Sequence, residues 1–325
     1  MLKVSVLVPI YNVSKYITRC VQSLFSQTIA DDVEFIFVND CSVDDSMEKL
    51  YAEIRKNPDL NITVLQHEKN KGLAAARNTA FEKANAEYFI CVDSDDWVEP
   101  TYLEKLYNKI KNTDSDIVGC NLTKEFPHKS VYTKNLLPTS SDLCVKQLLL
   151  GTLQGWLHVK MVKRSLLLDN NISWVEGIDL WEDVLLSLKI FVYAKKIENI
   201  DESLYHYRFN TQSLVNTFNE KRIINFICVV REIESFFREK NMFNAYYDDF
   251  LIMKTRIKIS ILCEGDISLQ KKYYSLYPEV DEKIVSIKGV SKIKKIATCL
   301  MIKQHYFISN LLLYLIYLGR KIKYR

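Results

Sequence analysis

The sequence lacks the cysteine and glycine patterns that mark several common functional classes. Its eight cysteines are all at least 21 residues apart, so there is no CxxC pair for a zinc knuckle or a redox site. Several of them lie in apolar runs such as residues 89–92, as small buried side chains do, which predicts a reducing compartment. Only 8 glycines and 6 prolines occur in 325 residues, which argues against long disordered or low-complexity segments.

Three further absences concern a cofactor motif, a basic surface and a signal sequence. No GxGxxG motif follows the first predicted strand, which excludes a nicotinamide-dependent dehydrogenase. Residues 1–290 carry 36 Lys and Arg against 40 Asp and Glu, so we expect no nucleic-acid partner. Residues 1–9 lack the long apolar core and the small-residue cleavage site of a signal peptide. We therefore expect a cytoplasmic protein that begins with a β-strand.

The first 120 residues alternate short apolar runs with segments of helical spacing. The runs that we predict to be strands are 4–8, 35–38, 62–65, 88–92 and 117–120, and the helices between them are 14–27, 45–57, 73–84 and 101–111. Such alternation with nearly continuous apolar strands predicts the α/β class, with a mostly parallel twisted sheet flanked by helices.

The second half of the chain is more helical than the first. Helical spacing is found at 142–150, 181–193, 222–240 and 245–263, and from 291 to the end. We therefore predict an α/β domain at residues 1–215 that holds the functional site. A helical extension at residues 216–325 would end in a basic amphipathic tail.

Polar clusters follow three of the predicted strands. They are Pro9 to Asn12, Asn39 to Asp44, and Asp93 to Asp96. In parallel α/β sheets the ligand binds beyond the carboxyl ends of the strands, so these clusters should meet at one edge of the sheet. Their convergence is a stronger signal than any one cluster.

The Asp93-Ser94-Asp95 segment predicts a metal site. In an extended backbone residues i and i+2 point the same way, so two carboxylates face one cation. Mg²⁺ or Mn²⁺ prefers oxygen ligands and commonly binds between carboxylates and substrate phosphates. The alternative is a solvated acidic turn that caps the helix near residue 100.

Asp40 and Arg77 are candidates for binding a nucleotide. A carboxylate accepts hydrogen bonds only, so Asp40 is suited to the N3–H of a uracil ring; the alternative is a bond within its own turn. Arg77 lies on the second turn of a helix rich in small residues, where its fork geometry suits a diphosphate. The alternative is a surface arginine on a helix packed against the sheet.

Three later residues have weaker signals. Glu182 and Asp183 open a helix and point about 100° apart, so one can face a cleft while the other does something else. The alternative is that both complement the helix dipole. His206 lies in the polar-aromatic segment Tyr205 to Arg208, followed by Ser213, and is a candidate ligand of the metal or of phosphates. A lone histidine is more often structural.

Taken together, these residues resemble the family-2 glycosyltransferases, an inverting group with the GT-A fold. The resemblance covers about residues 1–215. Its ordered motifs in this sequence are Pro9-x-Tyr11-Asn12, Asn39-Asp40-x-Ser42-x-Asp44, Asn70-x-Gly72-x-x-x-Ala76-Arg77-Asn78, Asp93-x-Asp95-Asp96 and Glu182-Asp183. One departure is Asn39, where many members have a second aspartate, which puts only fine base contacts in doubt.

The resemblance implies a role for each matched residue. On the donor side, Asp40 reads uracil, Pro9, Tyr11 and Asn12 line the nucleoside pocket, and Arg77, Asp93 and Ser94 lie at the nucleotide sugar. Asp95 would bind the metal directly, with Asp93 contacting ribose or metal. Asp183 would be the catalytic base, and Glu182 would bind or orient the acceptor.

The implied activity is inverting, metal-dependent transfer from a nucleotide diphosphate sugar, UDP-linked by preference, in bacterial surface-polysaccharide assembly. The acceptor would be a glycan or a lipid-linked molecule. Two alternatives remain, a sugar-1-phosphate nucleotidyltransferase and an inactive carbohydrate-binding protein. The first usually has a glycine-rich loop after its first strand, and here that loop is Ile10-Tyr11-Asn12-Val13.

The C-terminal tail is strongly basic. Residues 291–325 contain eight Lys and Arg and no Asp or Glu. Their apolar stretch of about 12 to 14 residues is shorter than the roughly 20 needed to span a bilayer. It predicts an interfacial helix that contacts the inner face of the plasma membrane. The alternative is a terminal helix docked on the domain or on a partner subunit.

Overall fold

The computed structural model describes residues 2–209 and 218–323, with side chains up to residue 314. Its first elements alternate as predicted. They are β1 (Val4–Ile10), α1 (Ile17–Phe25), β2 (Val33–Asn39), α2 (Ser46–Ile54), β3 (Asn61–Gln66), α3 (Leu73–Lys83) and β4 (Tyr88–Cys91). All residues of β1, β2 and β4 are buried, because helices cover both faces of a sheet of this kind.

The next part of the chain is less regular. It contains β5 (Trp97–Val98), α4 (Tyr102–Thr113), β6 (Ile117–Phe126), β7 (Lys129–Thr133), α5 (Ser141–Leu149), β8 (Lys160–Lys163), α6 (Arg164–Leu168), α7 (Glu182–Tyr193) and β9 (Ile197–Arg208). Helix α7 matches the predicted helix at 181–193 to within one residue. Strands β5, β7, β8 and β9 have no counterpart among the predicted strands.

Within the described ranges, nine strands form one sheet in the order β3-β2-β1-β4-β8-β6-β9-β5, with β7 added to β6. Strands β3, β2, β1 and β4 are parallel, and β6 is parallel to β9. The pairs β4–β8, β8–β6, β6–β7 and β5–β9 are antiparallel. The predicted α/β class is therefore confirmed, and the sheet is parallel on one side and mixed on the other.

Parallel pairing places the ends of β1, β2 and β4 at one edge. Ile10 of β1 pairs with Asn39 of β2, and Leu7 pairs with Cys91 of β4. The core beneath this edge is aliphatic and aromatic, with Phe25 of α1 packed edge-on against Phe35 of β2 at 5.4 Å between ring centroids. This rigid core fixes the strand ends from which the polar clusters project.

The chain divides into two units, Met1–Leu148 with Leu153–Thr211, and Leu149–Thr152 with Gln212–Arg325. The second unit is helical, with α8 (Glu220–Glu239), α9 (Phe243–Glu264), α10 (Ile267–Tyr273), α11 (Lys283–Ser286), α12 (Lys292–Ile302) and α13 (Tyr306–Lys323). The helix predicted from 291 to the end is two helices, because Gln304 takes a left-handed backbone conformation with φ 62°. Across the described part of the chain, no helix has the length and apolar character that a membrane crossing requires.

Candidate active site

Asp40, at the carboxyl end of β2, is buried, and its carboxylate has three hydrogen-bond partners. Its Oδ1 lies 2.7 Å from Nδ1 of His67 and accepts a 2.8 Å bond from the backbone N–H of Lys71. Its Oδ2 accepts from the N–H of Gly72 at 2.8 Å. Gly72 has a φ of +92°, which side-chain-bearing residues rarely adopt. Asp40 therefore holds the loop before α3 in place. One lone pair on its Oδ2 is left for a ligand.

The end of β1 offers one open surface beside Asp40. Pro9 is buried inside the strand, whereas the side chain of Tyr11 is 49% exposed. Asn12 ties this end to the next loop, because its Oδ1 accepts from the N–H of Val43 and its own N–H donates to Ser42 Oγ. Of the three predicted nucleoside-pocket residues, Tyr11 has the ring that is free to meet a ligand.

Arg77 of α3 gathers two distant carboxylates. Its Nη2 donates to Oδ1 of Asp93 at 2.8 Å, and its Nη1 donates to Oε1 of Glu182 at 2.5 Å. Arg77 is only 3% exposed, and its Nε is buried without a hydrogen-bond partner among the described residues. Both ends of the guanidinium are thus occupied by protein acids, and the fork that suited a diphosphate holds the site together instead.

The charges of this cluster explain its ionisation. Burial disfavours the charged form of Arg77, but Asp93 and Glu182 outweigh it and hold the pKa of Arg77 above its ordinary value. Burial likewise opposes ionisation of Asp93, and the charge of Arg77 with a hydrogen bond from His158 holds its pKa below the usual range. Burial next to Asp183 raises the pKa of Glu182 to about 8, and Arg77 works against that rise.

Asp95 differs from Asp93 in that its carboxylate forms no hydrogen bond or ion pair with another residue in 2–209 or 218–323. The nearby cation is Arg208, whose Nε donates to the backbone oxygen of Asp95 at 2.9 Å and whose charge favours ionisation of the carboxylate. Ser94 between the two aspartates is buried. Burial and the charge of Asp93 raise the pKa of Asp95 to about 6. A cation bound there would offset this repulsion, so the carboxylates fit the oxygen chemistry of Mg²⁺ or Mn²⁺.

A complete metal cage is not built from side chains alone. No group of three or more His, Cys, Asp or Glu with metal-binding geometry occurs among the residues that the structure describes. Magnesium-type ions commonly use one or two carboxylates and take further oxygens from substrate phosphates and water. The pair Asp93 and Asp95 suits that arrangement, with Asp95 the freer of the two.

His206 is held by two other acids. Its Nδ1 lies 2.8 Å from Oε1 of Glu125 and its Nε2 lies 2.8 Å from Oε1 of Glu99, while its ring stacks on Trp97. With both nitrogens engaged, neither is available to a metal in this state. The predicted metal role of His206 therefore meets a physical objection, and the structural alternative fits the contacts. Ser213 lies outside the described residues.

The first turn of α7 separates its two acids as the helical spacing predicts. Glu182 is buried against Arg77, whereas Asp183 is half-buried and its Oδ1 accepts from the N–H of Val184 at 2.7 Å. The preceding Trp181 has a left-handed backbone with φ 65°, an unfavourable conformation for a bulky residue that is often found at functional sites. The charge of Asp183 acts on Arg77 and Glu182, so it belongs to the same electrostatic cluster.

No sequence motif marks the histidine that supports Asp93. His158 is 5% exposed, its Nδ1 lies 3.4 Å from Oδ2 of Asp93, and its ring stacks on Tyr205 at 4.5 Å. The hydroxyl of Tyr205 in turn donates to Asp96 and accepts from the N–H of Asp93. In the sequence, the only indication of this residue is that two basic side chains interrupt the apolar run at 157–162. All six residues of that run are buried in the structure.

Comparison with known proteins identifies the family. Residues 5–170 match the sequence profile described as Glycosyl transferase family 2. The chain is 31% identical over 264 residues to the putative glycosyltransferase EpsH of Bacillus subtilis, covering 78% of this chain and 75% of that protein. The fold and the site define a GT-A protein, and the chain belongs to glycosyl transferase family 2. It is a glycosyltransferase.

Solved structures share the fold. TarS residues 1–349 of S. aureus, in complex with UDP-GlcNAc, has a TM-score of 0.71 at 20% identity, over 98% of this chain and 92% of that one. The mannosyltransferase PcManGT of Pyrobaculum calidifontis, in complex with GDP-Man and Mn²⁺, has a TM-score of 0.53 at 16% identity, over 94% and 85% of the two chains. At these identities the likeness establishes the GT-A architecture.

Proposed function

We propose that this glycosyltransferase moves a sugar from a uridine diphosphate sugar to an acceptor hydroxyl, with inversion and with the help of a divalent metal, in the assembly of a bacterial surface glycan. One observation carries the proposal. Arg77 bonds Asp93 and Glu182 at once, which joins the donor-side acids to the helix turn that bears Asp183. Neither a nucleotidyltransferase nor an inactive sugar-binding protein requires a general base such as Asp183 beside the donor-side acids.

The surroundings of Asp40 support a uracil base. A carboxylate has about four acceptor positions, and His67, Lys71 and Gly72 take three of them. The remaining position on Oδ2 matches the single N3–H of uracil, whereas guanine presents two adjacent N–H donors. TarS is seen with UDP-GlcNAc and PcManGT with GDP-Man, so both donor classes occur on this fold.

Asp95, with Asp93 beside it, would hold the metal. When bound, a divalent ion offsets the negative charge that grows on the departing diphosphate. Arg77 is a weaker candidate for that task alone, because its charge is already paired with Asp93 and one N–H of each terminal nitrogen is bonded to a protein acid. Mn²⁺ or Mg²⁺ suits the all-oxygen ligands.

Asp183 is the proposed general base. It accepts the proton of the acceptor hydroxyl as that oxygen bonds to the anomeric carbon, while the bond from that carbon to the diphosphate breaks on the opposite face. Such displacement inverts the anomeric centre, and a positioned base contributes roughly 10²–10⁴-fold. Glu182 is buried against Arg77 and orients the turn on which Asp183 stands.

The decisive experiment combines a donor screen with a base variant. Release of UDP and formation of a glycoside are measured over UDP-, GDP- and dTDP-sugars, with Mn²⁺, Mg²⁺ or EDTA. Asp183→Asn should reduce turnover by at least about 100-fold and leave UDP affinity by calorimetry nearly unchanged. Glu176→Gln, a change of an exposed acid six residues before the start of α7, is the matched control. Asp183→Asn with near wild-type turnover would remove the base from its role, and pyrophosphate as the product would indicate a nucleotidyltransferase.

The acceptor side extends the proposal to a membrane surface. On α13 the side chains of Phe307, Ile308, Leu311 and Tyr314 are 48–83% exposed, and they share one face of the helix, opposite the buried Ser309. The sequence from 291 to 325 has eight basic and no acidic residues. Apolar exposure with positive charge suits anionic lipid, and a lipid-linked acceptor would then meet the enzyme at the bilayer.

Vesicle flotation tests this membrane contact. The full chain should float with vesicles that contain phosphatidylglycerol, and Phe307→Asp with Leu311→Asp should abolish flotation while soluble-acceptor turnover persists. Val285→Asp, an equally exposed apolar position on α11, is the control. Wild-type flotation by the double variant, or a dimer that dissociates only in that variant, would overturn the membrane contact in favour of the docked alternative.

A further inference from the structure

A buried lysine organises the loop in front of β8. Lys160 is 2% exposed, and its Nζ donates to the backbone carbonyl oxygens of Trp156 at 2.5 Å and Gln154 at 3.3 Å. The carbonyl between them, that of Gly155, accepts a 2.6 Å bond from Oγ of Ser187 on α7. Three consecutive carbonyls are therefore fixed by two side chains, one from the sheet and one from the helix.

This loop packs directly on the backbone of the proposed base. A Cβ added to Gly155 would lie 2.6 Å from both N and Cα of Val184 and 2.9 Å from the carbonyl carbon of Asp183. Contacts that short do not occur, so residue 155 must be glycine for the loop to reach the helix. The first turn of α7 thus rests against a surface whose shape depends on Lys160 and Ser187.

Burial of the Lys160 ammonium group is unfavourable in free energy, so its presence here requires an explanation. Desolvation lowers the pKa of Lys160 to about 8, while the negative charge of Asp183 raises it. Cys144 and Cys120 are the other titratable groups that act on it, and both are buried thiols. A methionine of similar length would fill the same space without this penalty, so packing alone does not explain a lysine here.

We propose that Lys160 is a positioning residue for catalysis: by binding the carbonyls of Gln154 and Trp156 it holds Gly155 against the first turn of α7 and so sets the place of the Asp183 carboxylate. The inference rests on the proposed role of Asp183 as the base. It assigns to β8 a function that no motif signals, because the lysine ammonium bonds only backbone carbonyls of the neighbouring loop in the described structure. Removing it should change how well the base is aligned and leave the nucleotide site as it was.

The first test separates turnover from donor binding. Lys160→Met should lower kcat by about 10- to 100-fold, as expected for a displaced catalytic group. The donor KM and the UDP affinity should stay within about 2-fold, because the change affects the alignment of the base and not the binding of the donor in the ground state. Lys163→Met makes the same change three residues along the same strand, at an ion pair with Asp114, and should leave kcat unaltered. Thermal melting establishes that each variant is folded.

The second test asks whether Lys160 acts through Asp183. Asp183→Glu keeps a carboxylate and moves it by one methylene, so we expect it to retain measurable turnover and to be suitable for combination with Lys160→Met. If both changes misplace the same carboxylate, the double variant should lose little more than the worse single variant. Losses that multiply would show independent roles and overturn the proposal.

Ser187→Ala supplies a milder variant should Lys160→Met fail to fold. Removal of one hydrogen bond to Gly155 should lower kcat by about 2- to 10-fold with the donor KM unchanged. Wild-type kcat in folded Lys160→Met and Ser187→Ala, beside an inactive Asp183→Asn, would refute the positioning role and keep the proposed function. Full activity in Asp183→Asn would instead refute the function itself.

Discussion

The carboxylates at the ends of β2 and β4 lie at the same edge of the sheet, yet their surroundings are opposite. Asp40 accepts hydrogen bonds from His67, Lys71 and Gly72, all within 32 residues of it in the chain. The carboxylate of Asp95 has no such partner among the described residues; burial and the charge of Asp93 oppose its ionisation, and the charge of Arg208 only partly offsets them. The protein therefore occupies three acceptor positions of Asp40 and leaves the carboxylate of Asp95 open to a cation. We expect Asp40 to serve both the fold and the donor, and Asp95 to serve the metal.

The largest expected effect is on Asp95 and on activity. Asp95→Asn should lower turnover by about 100-fold or more, because a neutral amide holds the divalent ion poorly. It should leave the stability of the fold unchanged or raise it, since the carboxylate has no partner to lose. Turnover and Mn²⁺ affinity by calorimetry measure the effect, with the exposed Asp59→Asn as control. Unaltered Mn²⁺ affinity in Asp95→Asn would contradict the metal-binding role of Asp95.

The opposite pattern is expected at Asp40. Asp40→Asn places an N–H₂ group against donors that need an acceptor, which should lower the free energy of unfolding by about 1–3 kcal/mol. Urea denaturation measures this loss, and UDP affinity should fall with it. A variant as stable as the wild type would mean that the loop at Lys71 and Gly72 does not depend on this carboxylate.

The smallest effect is a pH dependence of stability without metal. The pKa of Asp95 is about 6 in the folded chain against an ordinary 3.8, so between these values the folded state binds more protons than the unfolded state. The free energy of unfolding should therefore fall as pH rises through that window. Melting temperatures of wild type and Asp95→Asn in EDTA should diverge from pH 4 to 6, and Mn²⁺ should remove the divergence. If the melting temperatures of the two proteins in EDTA change in parallel with pH, the pKa of Asp95 is not raised in the folded chain.

The sequence predicted the parallel side of the sheet well and the mixed side poorly. Strands β1, β2 and β4 are buried on both faces, so their apolar runs are continuous and unambiguous. Strand β3 is only partly buried, yet its short apolar run 62–65 still marked it. Strand β9 has a mixed burial pattern, and its register with β6 shifts at Cys120 to Leu122, so no simple period marks it. Strand β8 has four residues and begins with a buried lysine, which no apolar pattern reveals.

The site shows the same division. Motif spacing led to Asp40, Arg77, Asp93 and Asp95, because each follows a strand end or opens a helix that the pattern predicts. It could not show that Arg77 bonds Glu182, which is 105 residues away in the chain. Nor did it lead to His158, which meets Asp93 only in the folded chain, or to Lys160, whose local bonds to the loop at 154–156 belong to no motif. Long-range pairing of charges is a property of the folded chain.

The double contact of Arg77, with Asp93 and with Glu182, also has a consequence for how this sequence can change over generations. Loss of Asp93 would leave a buried guanidinium without its ionised partner, and breaking a buried pair in this way costs about 3–5 kcal/mol. Loss of Glu182 would leave Nη1 of Arg77 without its hydrogen-bond acceptor. Selection should therefore remove single substitutions at these three positions. Substitutions there should be found only when the three residues change together. Positions 77, 93 and 182 should be inherited as one unit, while the exposed neighbours Lys71 and Glu176 drift freely.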